Sequence, residues 1–143
     1  MSKPAYTIRD ADWTADRLAL SHVRRVVFMQ EQGVPEELEW DAWDVPSRHF
    51  LAEDTQGHPI ATARLRPDGH IGRLAVLAFW RRRGVGTALM RHVLAAARDM
   101  GFTTVELAAQ THAITFYRRF GFEPFGAEFM DAGIPHRNMR LLL

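Results

Sequence analysis

The sequence predicts an α/β (α+β) fold with a mixed, mostly antiparallel central sheet and flanking helices. Three observations lead to this prediction. Short extended segments alternate with turn signals in the middle of the chain, a long amphipathic helix follows them, and a further strand comes directly after that helix. Because a helix connects two of the strands, we expect those two to be parallel and the turn-connected strands to be antiparallel.

Three extended segments form the first part of the predicted sheet. Residues 48–53, 60–65 and 71–76 have the composition of strands, and turn signals at 55–59 and 66–69 separate them. Connections this short favour neighbouring strands that run in opposite directions. We therefore expect an antiparallel meander.

The helix after the meander has a clear helical periodicity. Its apolar residues recur at steps of three and four, as in a helix with one face against a core. These residues are Val85, Ala88, Leu89, Val93, Ala96, Ala97 and Met100. Gly101 suits the C-terminal cap, and residues 104–108 form the strand that we expect to be parallel to 71–76.

The C-terminal part of the chain completes the predicted sheet. A short helix over 113–120 ends at Gly121. Closing strands follow at 122–125 and 137–142, and a loop around 131–136 joins them.

The N-terminal third is predicted to be more helical. A helix starts at Asp12 or Thr14, and a second short helix starts after Pro35. The first helix offers an apolar face of Leu18, Leu20, Val23, Val26, Val27 and Phe28. Residues 36–44 mix acids with two tryptophans. They are either a solvated helix whose tryptophans reach the core or an acidic, aromatic wall for a cationic substrate.

The composition narrows the possible functions. A chain of 143 residues suits one domain spanning 1–143. The absence of cysteine excludes disulfides, thiolate catalysis and cysteine-based metal sites. A net charge of +1 implies no general affinity for nucleic acid or membrane. Because we see neither a secretory signal nor an apolar run of about 18 residues, we expect a cytoplasmic protein.

Residues 74–87 predict an anion-binding site. A strand-like run leads into 81–87, a turn with three arginines and two glycines, and then into the helix. The first N–H groups of a helix lack intrahelical partners and favour phosphate. Gly86 is not followed by the Lys-Ser/Thr ending of a P-loop, and Leu89 replaces the third glycine of a dinucleotide fingerprint. The turn therefore suits a pyrophosphate without a metal; the alternative is that its arginines are solvated surface charge.

Two motifs in this chain resemble those of a known family. Residues 74–88 are similar to the acetyl-coenzyme A signature of the GNAT N-acetyltransferase superfamily, whose core, Arg/Gln-x-x-Gly-x-Gly/Ala, is matched by 81–86. Residues 113–122 resemble the Ala-x-x-Phe-Tyr-x-x-x-Gly-Phe segment of that family, in the same order and at the same spacing. Residues 26–35 and 132–136 further resemble the ElaA-like subgroup.

The resemblance implies a GNAT-like sheet with a splayed parallel strand pair and a site for acetyl-CoA. The cofactor-binding residues that it implies are Leu74, Val76, Arg81, Arg82, Arg83, Gly84, Val85, Gly86, Thr87, Gln110 and Phe116. Leu74 and Val76 would bond the pantetheine arm through their backbone, and the turn would hold the pyrophosphate. Gln110 replaces an asparagine that is common in the family. Tyr117 would be the general acid that protonates the departing thiolate.

The acceptor implied by the resemblance is a primary amine of a small molecule or a peptide, which attacks the acetyl group directly and without a metal. Glu31 is the first candidate for the general base, because it lies in the subgroup-like segment. Asp44, His49, His70 and His136 remain open as alternatives.

Two other functions compete with the enzyme. A non-catalytic acyl-CoA-binding regulatory module would keep the turn and lack turnover, and Tyr117 favours the enzyme over it. A nucleic-acid-binding domain that uses the arginines at 81–83 and 118–119 conflicts with the small net charge. A homodimer is expected only from the frequency of dimers among small enzymes.

Overall fold

A seven-stranded sheet crosses the whole molecule. The structure is a computed structural model that describes residues 5–143. Its strands are β1 Tyr6–Ala11, β2 Arg48–Asp54, β3 Pro59–Leu65, β4 His70–Val76, β5 Thr104–Gln110, β6 Glu123–Asp131 and β7 Ile134–Leu142. They lie in the order β1-β2-β3-β4-β5-β7-β6, and every neighbouring pair is antiparallel except β4 and β5. The predicted mixed sheet, its meander and its parallel pair are therefore confirmed.

Helices cover both faces of this sheet. They are α1 Arg17–Arg24, which continues as a π-helical stretch Arg25–Glu31, α2 Glu36–Glu39, α3 Val85–Asp99 and α4 Ile114–Arg118. Successive residues of a strand point to opposite faces. Along β3, Ala63 and Leu65 pack in the core with α3, whereas Arg64 pairs with Asp44, a partner of Arg24 in α1. α3 and α1 therefore lie on opposite faces. Within residues 5–143, no helix is long and apolar enough to cross a membrane.

An apolar core fills the face under α3. The helix buries Val85, Leu89, Met90, Val93, Leu94, Ala96 and Ala97. Met100, which we expected in this stripe, is 42% exposed because the helix ends at Asp99. Gly101 has φ +87°, and the Phe102 N–H donates to the Ala97 carbonyl at 3.1 Å, so the predicted glycine cap is confirmed.

The N-terminal region differs from the prediction. Residues 6–11 form the edge strand β1, which the sequence analysis did not predict; the alternation of half-buried and exposed positions lasts only from Tyr6 to Arg9. Asp12 does not begin the helix: its carboxylate accepts the Ala15 N–H at 2.7 Å and stabilises a turn before α1. Leu18 is 88% exposed rather than on an apolar face. The short helix after Pro35 is confirmed as α2.

The C-terminal hairpin is longer and tighter than predicted. β6 and β7 each have nine residues, and only Ala132 and Gly133 lie between them. Their φ angles of +50° and +75° match the two central residues of a type I′ turn, which joins twisted antiparallel strands. The predicted loop at 131–136 is therefore wrong, because most of it belongs to the strands.

The parallel pair opens into a V. β4 and β5 are bonded only through the pairs His70–Glu106 and Ile71–Leu107, near the start of β4. Arg73 has φ +51°, and the register between β3 and β4 shifts beside it, as at a β-bulge. The bulge bends β4 away from β5, and the V opens toward the beginnings of α3 and α4.

Candidate active site

A cleft of about 940 Å³ occupies the V between β4 and β5. The turn at 81–87 and α4 form one wall. The π-helical stretch and the tip of the β6–β7 hairpin form the other. The cleft therefore brings together the two motifs that the sequence singled out.

The first turn of α3 presents free backbone donors to this cleft. Gly84, at φ +83°, precedes the helix and provides no side-chain cap. Ala88 donates to the Gly84 carbonyl at 3.0 Å, which is the first intrahelical bond. The N–H groups of Val85, Gly86 and Thr87 therefore have no helical partner, and the dipole of a 15-residue helix adds positive potential there. This geometry suits a phosphate group.

The three arginines before α3 have different environments. Arg81 donates to the Val76 carbonyl at 2.9 Å and to the Glu31 carboxylate at 2.7 Å. Arg83 donates to the Phe79 carbonyl at 2.8 Å and stacks over the Phe79 ring. Arg82 is exposed, lines the cleft and has no side-chain partner among the described residues. Arg81 and Arg83 therefore stabilise the turn, and the guanidinium of Arg82 is available to bind an anion.

The open edge of β4 presents main-chain groups to the cleft. The Leu77 N–H donates to the Ile60 carbonyl at 2.9 Å, on the β3 side. Because main-chain groups alternate along a strand, the N–H and C=O groups of Leu74 and Val76 point to the other side, into the V. The Val76 carbonyl already accepts from Arg81, while the Leu74 groups face the region where β5 has diverged.

A pair of amides bridges the cleft at the end of β5. The Gln110 side-chain amide donates to the Gln32 Oε1 at 2.8 Å, and its oxygen lies 2.7 Å from the His112 Nε2. Gln32 follows the π-helical stretch directly. Gln110, predicted to contact the cofactor, thus connects the two walls through its side chain.

Tyr117 and Phe116 extend from α4 into the same cleft. Phe116 packs beside Gly86, where an added Cβ would lie 3.6 Å from the ring. The Tyr117 ring packs edge-on against Phe116 and Phe122. Its hydroxyl has no hydrogen-bond partner within residues 5–143, and burial raises the pKa of Tyr117 to about 12. The phenol is therefore protonated at neutral pH and able to donate.

The candidate bases are distributed over different parts of the molecule. Glu31, His70 and His136 line the cleft, whereas Asp44 and His49 do not. The Glu31 carboxylate is ion-paired with Arg81, so Glu31 as the base stays a prediction. The Nδ1 of His70 is buried without a hydrogen-bond partner among the described residues, and burial holds the pKa of this imidazole below its ordinary value.

The face of the sheet under α1 contains a buried group of charges that we call the ionic cluster. Its members are Arg24, Glu39, Asp41, Asp44, Arg64 and Arg73. Arg24 is 1% exposed and bonds Glu39 and Asp44, each at 2.7 Å. Burial raises the pKa of Glu39, and the charges of Arg73 and Arg24 offset this only in part. Burial also opposes ionisation of Asp44, but hydrogen bonds and charge from Arg24 and Arg64 hold its pKa below the ordinary value.

The ionic cluster corrects both interpretations of residues 36–44 in part: Glu36 and Glu37 are exposed, as in a solvated helix, and Glu39 and Asp41 line the cleft. Glu39 and Asp44 are buried and paired rather than solvated, and Asp41 pairs with Arg64 and Arg73. Their charges are therefore neutralised internally and do not form a free acidic wall. The arginine partners come from three other segments of the chain. These ion pairs therefore could not be predicted from the residues next to them in the sequence.

The structure also adds cleft residues that the sequence did not single out for the site. Trp80 and Arg119 both line it, near the turn and near Tyr117 respectively. Both lie at positions where the family motifs accept any residue, so the motifs carry no signal for them. Within the described part of the chain, no group of three or more His, Asp or Glu side chains is arranged to hold a metal ion.

Comparisons with known proteins agree with this fold and cleft. Residues 16–143 match the family model described as an acetyltransferase (GNAT) domain. A Bacillus subtilis protein named uncharacterized N-acetyltransferase YjcF is 39% identical over 122 residues, which are 82% of this chain and 86% of YjcF.

Two crystal structures extend the likeness to three dimensions. Escherichia coli ElaA is 29% identical with a TM-score of 0.84, over 94% of this chain and 98% of ElaA. An acyl-CoA N-acyltransferase from Pseudomonas aeruginosa is 30% identical with the same TM-score of 0.84 and the same coverage of 94% and 98%. The resemblance to the ElaA-like subgroup that the sequence suggested is thereby confirmed. With a family model that matches from Asp16 to the last residue, the chain belongs to the GNAT acetyltransferase family.

Proposed function

We propose that residues 1–143 form a single acetyltransferase domain that moves the acetyl group of acetyl-CoA to a primary amine of a small molecule or a peptide. The observation that carries this proposal is a protonated, unpartnered Tyr117 hydroxyl in the same cleft as the free N–H groups of α3. One end of the cleft suits phosphate, and the other offers a proton donor. The name of YjcF, an N-acetyltransferase, supports an acetyl group as the group that is transferred.

The donor binds along the wall formed by the turn and β4. Backbone N–H groups of residues 81–87 hold the pyrophosphate, and the free guanidinium of Arg82 adds a charge-assisted contact. Leu74 and Val76 offer main-chain groups on the open edge of β4 to the pantetheine arm. Gln110 and Phe116 line the cleft beside that arm.

Tyr117 supplies a proton where the reaction develops negative charge. The departing thiolate of coenzyme A has a conjugate acid with a pKa of about 8.5. A neutral phenol beside it donates a hydrogen bond to the sulfur and then the proton. Since the pKa of Tyr117 is raised to about 12, essentially every molecule carries the proton at neutral pH. The phenolate regains a proton from the positively charged nitrogen of the acetylated acceptor, which is a much stronger acid than the phenol.

The test is thiol release from acetyl-CoA with a panel of primary amines. We expect Tyr117→Phe to lower kcat by about 100-fold or more, since a general acid contributes about 10²–10⁴-fold. The affinity for acetyl-CoA should be unchanged, because the phenyl ring keeps the packing. Thr115→Ala, at an exposed position of the same helix, is the matched control and should keep the parent rate.

Other outcomes would replace the proposal. If acetyl-CoA binds and no amine releases thiol above the background, the chain is a non-catalytic acyl-CoA-binding module. If acetyl-CoA does not bind, the turn at 81–87 does not hold its pyrophosphate. A Tyr117→Phe variant with the full parent kcat would exclude the tyrosine as the acid.

A further inference from the structure

His136 is held in a fixed orientation at the start of β7. The residue is 8% exposed and still lines the cleft. Its Nδ1 lies 2.7 Å from the Ile134 carbonyl oxygen, and the ring stacks on Phe129 with centroids 5.8 Å apart and an interplanar angle of 22°. Because a carbonyl oxygen only accepts hydrogen bonds, the Nδ1 must carry the hydrogen.

This hydrogen bond determines what the other ring nitrogen can do. In the neutral imidazole with Nδ1 protonated, the Nε2 of His136 carries a lone pair. Nε2 has no hydrogen-bond partner in the part of the chain that the structure describes. A neutral imidazole that is oriented by a carbonyl and open to a cleft is the usual form of a histidine general base.

Strand register places His136 level with the open edge of β4. His136 is paired with Gln110 across β5 and β7. Gln110 lies four residues beyond Glu106 on β5, and Leu74 lies four residues beyond His70, the β4 partner of Glu106. Gln110 and Leu74 are therefore at about the same height along the V, and His136 lies beside Gln110 on β7, so that β5 separates it from β4.

The other candidate bases are less well situated. His70 lies four residues nearer the closed end of the V, a distance of about 13 Å along a strand. Glu31 shares its carboxylate with Arg81. Asp44 belongs to the ionic cluster, and the His49 Nε2 lies 2.7 Å from the Asp44 carbonyl, outside the cleft.

We propose that the Nε2 of His136 is the general base that removes a proton from the ammonium group of the acceptor, directly or through one water. The inference rests on the proposed N-acetyltransferase activity. The ammonium R–NH₃⁺ gives one proton to Nε2, and the resulting amine attacks the thioester carbonyl. A C–N bond forms, the C–S bond breaks with its electron pair on sulfur, and Tyr117 protonates that sulfur. The second nitrogen proton returns to the phenolate, and the imidazolium releases its proton to solvent.

The experiment compares variants of the full chain in the thiol-release assay. We expect His136→Gln to lower kcat/KM for alkyl amines by about 100-fold or more, with acetyl-CoA affinity and the midpoint of thermal unfolding close to those of the parent. Free imidazole should restore part of the rate of His136→Ala. His58→Gln, an exposed histidine in the turn before β3, is the matched control and should keep the parent rate.

The possible failures are distinguishable from one another. If the parent releases no thiol with any amine, the proposed function fails. If the parent is active and His136→Gln retains its rate, or Glu31→Gln loses far more, the proposed function stands and His136 is not the base. Nitrogen-15 spectra of the parent protein supply a test without substitution. We expect the neutral ring of His136 to carry its hydrogen on Nδ1, and a neutral ring with the hydrogen on Nε2 instead would overturn the inference.

Discussion

The two sides of the cleft differ in the groups that form them: main-chain groups on one side and paired charged side chains on the other. The wall that we assign to acetyl-CoA consists largely of backbone: the free N–H groups before Ala88 and the open edge of β4. The opposite side rests on the ionic cluster, in which Arg24 and Arg64 reach acids 15 to 23 positions away in the sequence. The position of a backbone donor is set by the local backbone conformation. A buried ion pair forms only when segments that are distant in the sequence pack against each other.

This difference has energetic consequences. A backbone N–H group that is exposed to water is hydrogen-bonded to water and does not weaken the fold. The wall of free N–H groups before Ala88 and of the open edge of β4, which we call the donor wall, can therefore remain open. Arg24, by contrast, is buried with two carboxylates, and each buried charge is tolerated only while its partners are in place. We therefore expect changes in the ionic cluster to act on stability and changes in the donor wall to act on binding.

The largest expected effect is a loss of stability when Arg24 of the ionic cluster is replaced. Arg24→Met keeps the volume of the side chain but removes the cation that Glu39 and Asp44 share, leaving Arg73 to Glu39 and Arg64 to Asp44. Breaking a buried pair in this way costs about 3 to 5 kcal/mol. Urea unfolding at neutral pH measures the loss. Arg98→Met, at an exposed position near the end of α3, should change the free energy of unfolding by less than about 0.5 kcal/mol. An unchanged stability of Arg24→Met would contradict a structural role for the cluster.

The next effect tests the donor wall at Gly86. Gly86→Glu brings a carboxylate to the free N–H groups where the pyrophosphate is proposed to bind. We expect the acetyl-CoA Kd to rise by at least about 100-fold, or about 2.7 kcal/mol, without loss of the fold. Calorimetric titration measures the Kd. Gly86→Ala separates bulk from charge, because its Cβ would meet Phe116 and Val76 at ordinary contact distances of 3.6 and 3.7 Å. If the Kd of Gly86→Glu equals that of the parent, the pyrophosphate binds elsewhere.

The smallest effect concerns the pH dependence of the side that carries the ionic cluster. Burial holds the pKa of His49 below its ordinary value of 6.5, so the unfolded chain takes up a proton at higher pH than the folded chain. This contribution to stability is complete above about pH 6.5 and falls as the pH drops toward the folded pKa. From pH 7 to 5 it amounts to at most about 2 kcal/mol, at about 1.4 kcal/mol per pH unit. The lowered pKa of His70 acts in the same direction.

Two variants isolate the contribution of His49. His49→Gln keeps a donor for the Asp44 carbonyl and does not titrate, so its stability should fall less than that of the parent between pH 7 and 5. His22→Gln, at an exposed position of α1 whose side chain has no hydrogen-bond partner among the described residues, should follow the parent. Urea unfolding at both pH values gives the comparison. Identical losses in the parent and in His49→Gln would show that burial of His49 does not make stability depend on pH.

The sequence predicted the features whose signals are local. The stripe on α3, the glycine after it and the meander each depend on residues within about twenty positions. The motif at 113–122 likewise identified the helix of Tyr117. The edge strand β1 and the full length of the β6–β7 hairpin were missed, because both have mixed burial and gain stability from strands elsewhere in the chain.

For the candidate site, the sequence by itself determined the turn before α3, because glycine at φ +83° and the free N–H groups of a helix start follow from local backbone chemistry. It also singled out Tyr117 through its motif. Only the tertiary structure decided that Glu31 is paired with Arg81, that Glu39 and Asp44 are buried in the ionic cluster, and that His136 lies beside Gln110. Those facts depend on contacts between segments far apart in the chain, and such contacts form only when the whole sheet has assembled.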